Sequence, residues 1–228
     1  DGDVHLDVRT EMSCRLSAAG ADGGRTLCMP PPNLLPANRG YLQLLQLSSA
    51  LGLCLPVYDA VLLHGAIAVR DGRALVLAAP GDGGKSTTSA RLAPPWTALS
   101  DDATLAARRS DGTWHAAPWP TWSQFLDDAD GEGEWDVHHT LPLAGVFFLQ
   151  KDGDDVRHED VGAAQAACML DASAAQMVQY QLQNQDEAEQ RAFNLRRFDV
   201  ASALARALTV RLLHVPAPDA VAEIRLPL

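Results

Sequence analysis

The chain has 228 residues, of which 47% are hydrophobic and 21% charged, a composition typical of a folded globular protein with one sizeable core. Its formal net charge of −11 excludes nucleic acid as an expected partner, because phosphate backbones are bound by basic surfaces; a basic peptide or a partner protein fits better. Apolar runs such as AVLLHGAIAV are too short to cross a bilayer, so we expect no membrane partner and a cytoplasmic location.

The first quarter of the chain carries short strand and helix signals. Alternating pieces such as VHLDVRT, separated by the turn-prone AAGADGG, predict a small β-rich start in residues 1–28. PPPNLLPANRG predicts a loop, and leucines at near-helical spacing predict a short helix in residues 41–53. We therefore expect one domain over residues 1–228, in which residues 1–56 form a small β-rich and helical N-terminal portion.

The cysteines are scattered along the chain without a C-x-x-C pair: they are Cys14, Cys28, Cys54 and Cys168. This spacing argues against a zinc ribbon and against a dense disulfide framework. Free, partly buried thiols are the expected state.

Two apolar, β-prone runs, LLHGAIAV and RALVLAA, are joined by Arg70, Asp71 and Gly72. Asp-Gly between such runs is a strong signal for a β-hairpin. The second run leads directly into APGDGGKSTT, after which STTSARLA predicts a short helix that ends at Pro94 and Pro95. A strand, a glycine-rich loop and a helix are therefore predicted in that order.

The glycine-rich segment fits the pattern G-x-x-x-x-G-K-[ST], with Ala79 in place of the first glycine. In such a loop, backbone N–H groups surround phosphate oxygens, the lysine reaches the β- and γ-phosphates, and the hydroxyl binds magnesium. A tight connection without a ligand is the alternative, and the lysine and hydroxyl in register argue against it. The sequence thus predicts a site for ATP and Mg²⁺, without fixing the base, formed by Gly81, Asp82, Gly83, Gly84, Lys85, Ser86 and Thr87.

A pair of carboxylates, Asp101 and Asp102, follows in a predicted strand, WTALSDDATLAA. At the end of a strand, one carboxylate can hold metal while the other accepts the proton of an acceptor hydroxyl. A solvated turn pair is the alternative, and the position after a phosphate loop favours the functional interpretation. His64 lies on the strand that pairs with the one entering the loop, so strand register decides whether it reaches the phosphates or is an ordinary buried residue.

Later segments alternate between strand and helix patterns. SDGTW predicts a second hairpin turn, DDADGEGEWD an exposed acidic loop, and LPLAGVFFLQ a buried strand followed by the charged turn KDGDD. GAAQAACML, SAAQMVQYQLQNQ and FDVASALARALTV predict helices, so the chain is α/β. Arg191, Arg196 and Arg197 form a second phosphate clamp, a contact for an acidic substrate, or a solvated face.

The residues LLHGAIAVRDGRALVLAAPGDGGKSTTSARL, followed by ALSDDATLA, resemble the HPr kinase/phosphorylase superfamily and its shorter relatives. In that superfamily a His-Gly strand, a hairpin, the phosphate loop and an Asp-Asp strand occur in this order. The hairpin that enters the loop is shared with the phosphoenolpyruvate-carboxykinase-like core, so the resemblance implies that core over residues 61–106. PWPTWSQFL and LPLAGVFFLQ look most like the HPr-kinase-like proteins of gene cassettes for modified peptides, including the SynChlorMet type.

The resemblance implies an ATP- and Mg²⁺-dependent kinase that transfers the γ-phosphate to a hydroxyl, such as a serine, of a ribosomally made precursor peptide. It implies Lys85 and Ser86 at the phosphates and magnesium, and Asp102 assisting the metal. Asp101 would be the acid/base, with His64 supporting it; the residues themselves leave open which aspartate is the base. An E-I-R-G-L-G-like segment and a large N-terminal domain are lacking, which disfavours HPr as substrate and phosphorolysis.

Two other functions fit the same residues. One is a non-catalytic nucleotide-binding scaffold or regulator of a peptide-modifying assembly, which would need Lys85 but tolerate loss of the Asp101 carboxylate. The other is a small-molecule kinase with the same chemistry and a different acceptor pocket. The sequence also leaves a homo-oligomer open.

Overall fold

The structure is a computed structural model that describes residues 6–10, 15–16, 25–29, 47–80, 83–119, 139–152, 155–183, 185–216 and 224–226. Within these ranges residues 47–52 are helical and Leu55–Tyr58 form a 3-10 helix. The strands are β1 (Leu6–Thr10), β2 (Arg15–Leu16), β3 (Arg25–Met29), β4 (Ala60–Arg70), β5 (Arg73–Ala78), β6 (Thr97–Ser100), β7 (Ala103–Arg108), β8 (Trp114–Pro118), β9 (Leu141–Gln150), β10 (Arg157–Asp160) and β11 (Thr209–His214). The longer helices are α1 (Lys85–Ala90), α2 (Ala163–Leu182) and α3 (Glu187–Ala207).

The N-terminal strands form a small sheet of their own, in the order β1-β3-β2. This confirms the β-rich start predicted for residues 1–28. Of the helix predicted for residues 41–53, the described part, residues 47–52, is helical. The predicted loop before it and the acidic loop DDADGEGEWD lie outside the described residues.

The main sheet has the order β10-β11-β9-β5-β4-β7-β8, with β6 paired to β4. β8 also pairs with β9, so β4, β5, β9, β8 and β7 form a closed ring of neighbours. Most pairs are antiparallel, but β5 and β11 both run parallel to β9. The carboxyl ends of these three strands therefore lie at one edge of the sheet, where open α/β sheets commonly bind ligands.

The hairpin of β4 and β5 is antiparallel, as predicted, and pairs Gly65 with Ala78. Its two-residue turn, Asp71 and Gly72, has φ values of 50° and 71°, the positive values that a tight hairpin turn requires. From Ala74 to Ala78, β5 is apolar because both of its faces are buried there: alternate side chains contribute to two different hydrophobic clusters. The strand that enters the glycine loop is thus fixed from both sides.

The helices α2 and α3 cover one face of the sheet. Leu170 of α2 and Leu204 of α3, both fully buried, pack in one cluster with Leu63 and Val76 of the hairpin. The sequence patterns predicted two separate helices where α2 runs unbroken from Ala163 to Leu182. The last residues of the third helical pattern begin β11 instead, because the chain there joins the sheet beside β9.

The segment WTALSDDATLAA forms two strands rather than one. β6 and β7 both pair with β4, in a register that continues from Ile67↔Ser100 to His64↔Ala103. Asp101 and Asp102 form a bend between them. The bend frees both carboxylates from the strict alternation of a strand and places Asp102 beside His64 and Asp101 beside Ser86. Within the described residues, no helix has both the length and the apolar character to cross a bilayer.

Candidate functional site

A cavity of about 480 Å³ opens at the carboxyl end of β5. Its walls come from the end of the hairpin, the glycine loop, the start of α1, the β6–β7 bend and the end of β9. Gly81 and Asp82, which the sequence also assigns to this site, lie outside the described residues. The lining residues are His64, Gly83, Gly84, Lys85, Ser86, Thr87, Asp102 and Lys151; of these, only Lys151 was not singled out by its sequence pattern.

Alanine at the first position of the loop causes no strain. Ala79 is buried, its N–H donates to the His64 carbonyl at 3.3 Å, and it is not among the positions with positive φ. The loop then turns tightly, with the Gly83 N–H donating to the Pro80 carbonyl at 3.0 Å. Because the first position does not need left-handed backbone, the departure from glycine there costs the loop nothing in conformation.

Lys85 lies at the start of α1 and is buried. Its ammonium donates to the carbonyl oxygens of Ala79 at 3.2 Å and Pro80 at 3.3 Å. It also contacts His64 Nε2 at 2.8 Å. The lysine that the motif assigns to phosphate is therefore held across the mouth of its own loop by two carbonyls and an imidazole.

The His64 ring is oriented by helix α2. Its Nδ1 lies 2.8 Å from Gln176 Oε1, and its backbone N–H donates to Ser173 Oγ at 3.0 Å. Gln176 Oε1 can only accept, so this contact places a proton on Nδ1. Nε2 then points into the cavity, where it lies 3.1 Å from Asp102 Oδ1.

The two neighbours of His64 Nε2 require opposite hydrogen-bonding roles of this atom. Lys85 can only donate, so its contact needs the lone pair of Nε2, whereas Asp102 accepts and needs an N–H there. One nitrogen cannot satisfy both at the same time. A ligand that takes the Lys85 ammonium would leave Asp102 as the cavity-side partner of Nε2.

The Asp102 carboxyl is ionised at neutral pH. Partial burial alone would raise its pKa, but the hydrogen bond with His64 and the positive charges of His64 and Lys85 outweigh burial and lower the pKa below its ordinary value. Its side chain remains 35% exposed, against 17% for His64. Asp102 is thus a carboxylate that has an imidazole partner and access to the cavity.

Asp101 lies on the inner side of the bend and is 7% exposed. Its Oδ2 accepts from Ser86 Oγ at 3.3 Å. The resemblance paired His64 with Asp101 and gave Asp102 to the metal. In the structure, the hydrogen bond of His64 is with Asp102, and the carboxylate beside the Ser86 hydroxyl is Asp101, because the bend turns the two side chains to different neighbours.

The Ser86–Asp101 pair fits magnesium better than a soft metal, since both donors are oxygens. Among the described residues no group of three histidine, cysteine, aspartate or glutamate side chains is arranged to hold a metal. Magnesium does not need such a group, because one or two protein oxygens together with substrate phosphates and water complete its shell. The pair is therefore adequate for a magnesium ion that arrives with a nucleotide.

The arginines of α3 are separate from the cavity. Arg197 is buried and binds Asp171 of α2 through two hydrogen bonds, Nε–Oδ1 at 2.7 Å and Nη2–Oδ2 at 3.2 Å. Arg191 and Arg196 are exposed. Arg197 thus joins the two helices and is not part of a phosphate clamp.

Three residues at or around the cavity were missed from the sequence: Lys151, Ser173 and Gln176. The two α2 residues look like ordinary polar positions of a helix, and only the docking of α2 on β4 brings them to His64. Lys151 carried one usable signal. The chain contains just two lysines, and the other one is Lys85.

Comparisons with known proteins give a matching family model and similarities to solved structures. The family model described as SynChlorMet cassette protein ScmC matches residues 35–218. A search of the curated proteins finds no match. Among solved structures, the HPr(Ser) kinase/phosphatase from Coxiella burnetii is similar with 11% identity and a TM-score of 0.32, over 68% of this chain and 85% of that one.

Proposed function

Because the chain belongs to the SynChlorMet cassette protein ScmC family, we propose that it is an ATP- and Mg²⁺-dependent kinase that phosphorylates a hydroxyl of a peptide. The observation that carries the proposal is the cavity in which Lys85, His64 and Asp102 meet beside the glycine loop. A lysine beside a phosphate-binding motif and an ionised carboxylate that can accept a proton are groups that phosphoryl transfer uses, and the imidazole here orients that carboxylate.

The phosphate chain lies against the loop and Lys85. By the motif, loop backbone N–H groups surround the phosphates, and the ammonium exchanges its carbonyl and imidazole contacts for phosphate oxygens. Asp82 and Gly81 complete the loop by the motif. Ser86 and Asp101 would hold magnesium, and a bound magnesium ion would neutralise negative charge on the nucleotide phosphates.

Asp102 is the base in this proposal, which exchanges the roles that the resemblance gave to the two aspartates. As the acceptor oxygen bonds to the γ-phosphorus and ADP leaves, the proton of the hydroxyl passes to an Asp102 oxygen. His64 holds that carboxylate through Nε2, and Gln176 and Ser173 hold His64. Asp102 also has the better access to an acceptor, since Asp101 is buried.

A peptide is the proposed acceptor for two reasons. The cassette description of the family suggests a setting of peptide modification. The net charge of −11 favours a neutral or basic peptide over an acidic one. A serine or threonine hydroxyl is the chemical group that a carboxylate base of this kind activates.

The test is transfer of labelled γ-phosphate to the peptides encoded beside the gene, followed by mass spectrometry of the products. Asp102→Asn keeps the size of the side chain and removes its basicity, so we expect transfer slowed by about 10²-fold or more with ATP binding retained. Asp71→Asn, at the far tip of the hairpin, is the matched control. It leaves a favourable Asn-Gly turn and should transfer at the parental rate.

Each alternative has its own result. If Asp102→Asn transfers phosphate at the parental rate and Asp101→Asn transfers none, the base is Asp101. Phosphorylation of a small hydroxyl compound but of no peptide shows a small-molecule kinase. Nucleotide binding without transfer to any acceptor supports the scaffold and contradicts the kinase.

A further inference from the structure

Lys151 is the second lysine of the chain and lies on the same cavity as the first. The chain has 18 lysine and arginine side chains in all, and all of them except these two lysines are arginines. Within the described residues, no arginine lines this cavity. A lysine is a compact point charge suited to phosphate oxygens. The two lysines therefore converge on one site from positions far apart in the sequence.

The side chain of Lys151 occupies the space above Gly84. A Cβ at Gly84 would lie 2.5 Å from Lys151 Cε and 3.3 Å from its Nζ. Gly84 also has a φ of +85°, so both the close approach of Lys151 and the backbone conformation favour glycine at this position. The missing side chain at Gly84 is what lets the Lys151 ammonium approach the loop backbone.

The backbone around Lys151 is fixed on both sides. The carbonyl of Gln150 accepts from the Val215 N–H at 2.8 Å, and Asp152 Oδ1 lies 2.5 Å from Nδ1 of the buried His214. The hydrogen bond with His214 lowers the pKa of Asp152, so this carboxylate stays charged. Lys151 is thus presented to the loop from an anchored segment that follows β9.

Parallel pairing explains why the end of β9 reaches the loop at all. Ala78, the last residue of β5, pairs with Phe148 of β9. Lys151 lies three residues after Phe148, directly beyond the end of β9, and β5 leads into the glycine loop. Lys151 therefore follows the end of β9 directly, and the loop that leads to Lys85 follows the adjacent end of β5, at one edge of the sheet.

Charge balance calls for a second cation. Among the described residues, the charged side chains on the cavity wall are Lys85, Lys151 and Asp102, and the carboxylate of the buried Asp101 lies behind Ser86. These carboxylates repel an incoming polyanion, and the single ammonium of Lys85 offsets only part of that repulsion. Lys151 adds a second positive charge on the same wall.

We propose that Lys151 binds the phosphate chain of the nucleotide across Gly84, as a second cation supplied by β9. This inference rests on the proposed function, because it names a further residue of the same nucleotide site. It does not follow from the loop motif, which contains only Lys85.

The first experiment compares MgATP binding by calorimetry in the parent and three variants. We expect Lys151→Gln to weaken binding by about tenfold or more, the loss of one charge-assisted hydrogen bond, and Lys151→Arg to restore most of it. Arg73→Gln removes one positive charge at the opposite end of β5 and should bind as the parent does. Lys151 is exposed, so Lys151→Gln is expected to fold normally.

The second experiment uses the unaltered chain. Because only two side-chain amines exist, acetylation by an amine-reactive ester followed by peptide mapping reports on each lysine separately. MgATP at about ten times its Kd should slow acetylation of Lys151 about tenfold, whereas AMP, which lacks the β- and γ-phosphates, should protect it much less.

The outcomes separate the two proposals. If Lys85→Ala abolishes MgATP binding while Lys151→Gln binds normally and Lys151 is not protected, the inference is overturned and the proposed function stands. If the parent binds no MgATP, both are overturned. Weakened binding in Lys151→Gln with protection of Lys151 by MgATP is the expected result.

Discussion

The aspartate that faces the cavity is expected to make the stability of the protein sensitive to acid. The pKa of Asp102 is lower in the folded chain than in the unfolded chain, because His64 and Lys85 outweigh the effect of burial. Its contribution to the free energy of unfolding is therefore fully present above the unfolded pKa and is lost as pH falls through the folded pKa.

This pH effect is measurable by urea unfolding between neutral pH and the acid range. We expect the midpoint to fall with pH more steeply in the parent than in Asp102→Asn, which cannot titrate. Asp71→Asn serves as the control for loss of one exposed carboxylate. Identical slopes in the parent and Asp102→Asn would contradict the interaction of Asp102 with His64.

Arg197 is expected to stabilise the packing of α2 against α3. Its guanidinium is buried and bound bidentately by Asp171, so Arg197→Met leaves a carboxylate without its partner and a loss of about 2 kcal/mol or more is expected. The neighbouring Arg196 is exposed, and Arg196→Met should change the free energy of unfolding by less than about 0.5 kcal/mol. Equal losses in the two variants, measured by urea unfolding, would show that the ion pair contributes little.

At the scale of elements, the hairpin and the start of α1 follow from local chemistry. Asp71-Gly72 fits only a few turn types, and the alternation of β5 into two cores explains its unbroken apolar run. The bend at Asp101 and Asp102 could not be predicted, because strand propensity continues across it. That bend decides which aspartate binds His64, so the sequence pattern alone cannot determine it.

The contacts made by the helices and by the end of β9 could not be predicted from the sequence either. Ser173 and Gln176 sit 109 and 112 residues from His64, and nothing local to either segment encodes their contact. Lys151 reaches the loop only because β9 lies parallel beside β5, an arrangement that requires a long crossover. The sequence motif predicted the candidate residues of the loop. The residues that orient them come from distant segments, and only the tertiary fold brings them to the site.

For the whole molecule, nucleotide binding should appear as increased thermal stability. A ligand that binds only the folded chain at about 100 times its Kd adds about 2.7 kcal/mol, which corresponds to roughly 5–10 °C in the melting temperature of a chain of this size. We expect MgATP to produce such a shift in the parent and Lys85→Ala to lose most of it. Because Lys85 is buried, the quantity to compare is the shift, not the absolute melting temperature. An undiminished shift in Lys85→Ala would place the phosphate site elsewhere.

The long separation between His64 and its supports on α2 also bears on when the site can form. A growing chain presents the hairpin, the glycine loop and both aspartates before β9 and α2 have been made. Until α2 docks, His64 lacks the groups that hold its ring, and closing a loop of this length is a slow step compared with forming a hairpin. The motif that identifies the site is therefore synthesised early, whereas the residues that orient His64 are synthesised 109 and 112 residues later.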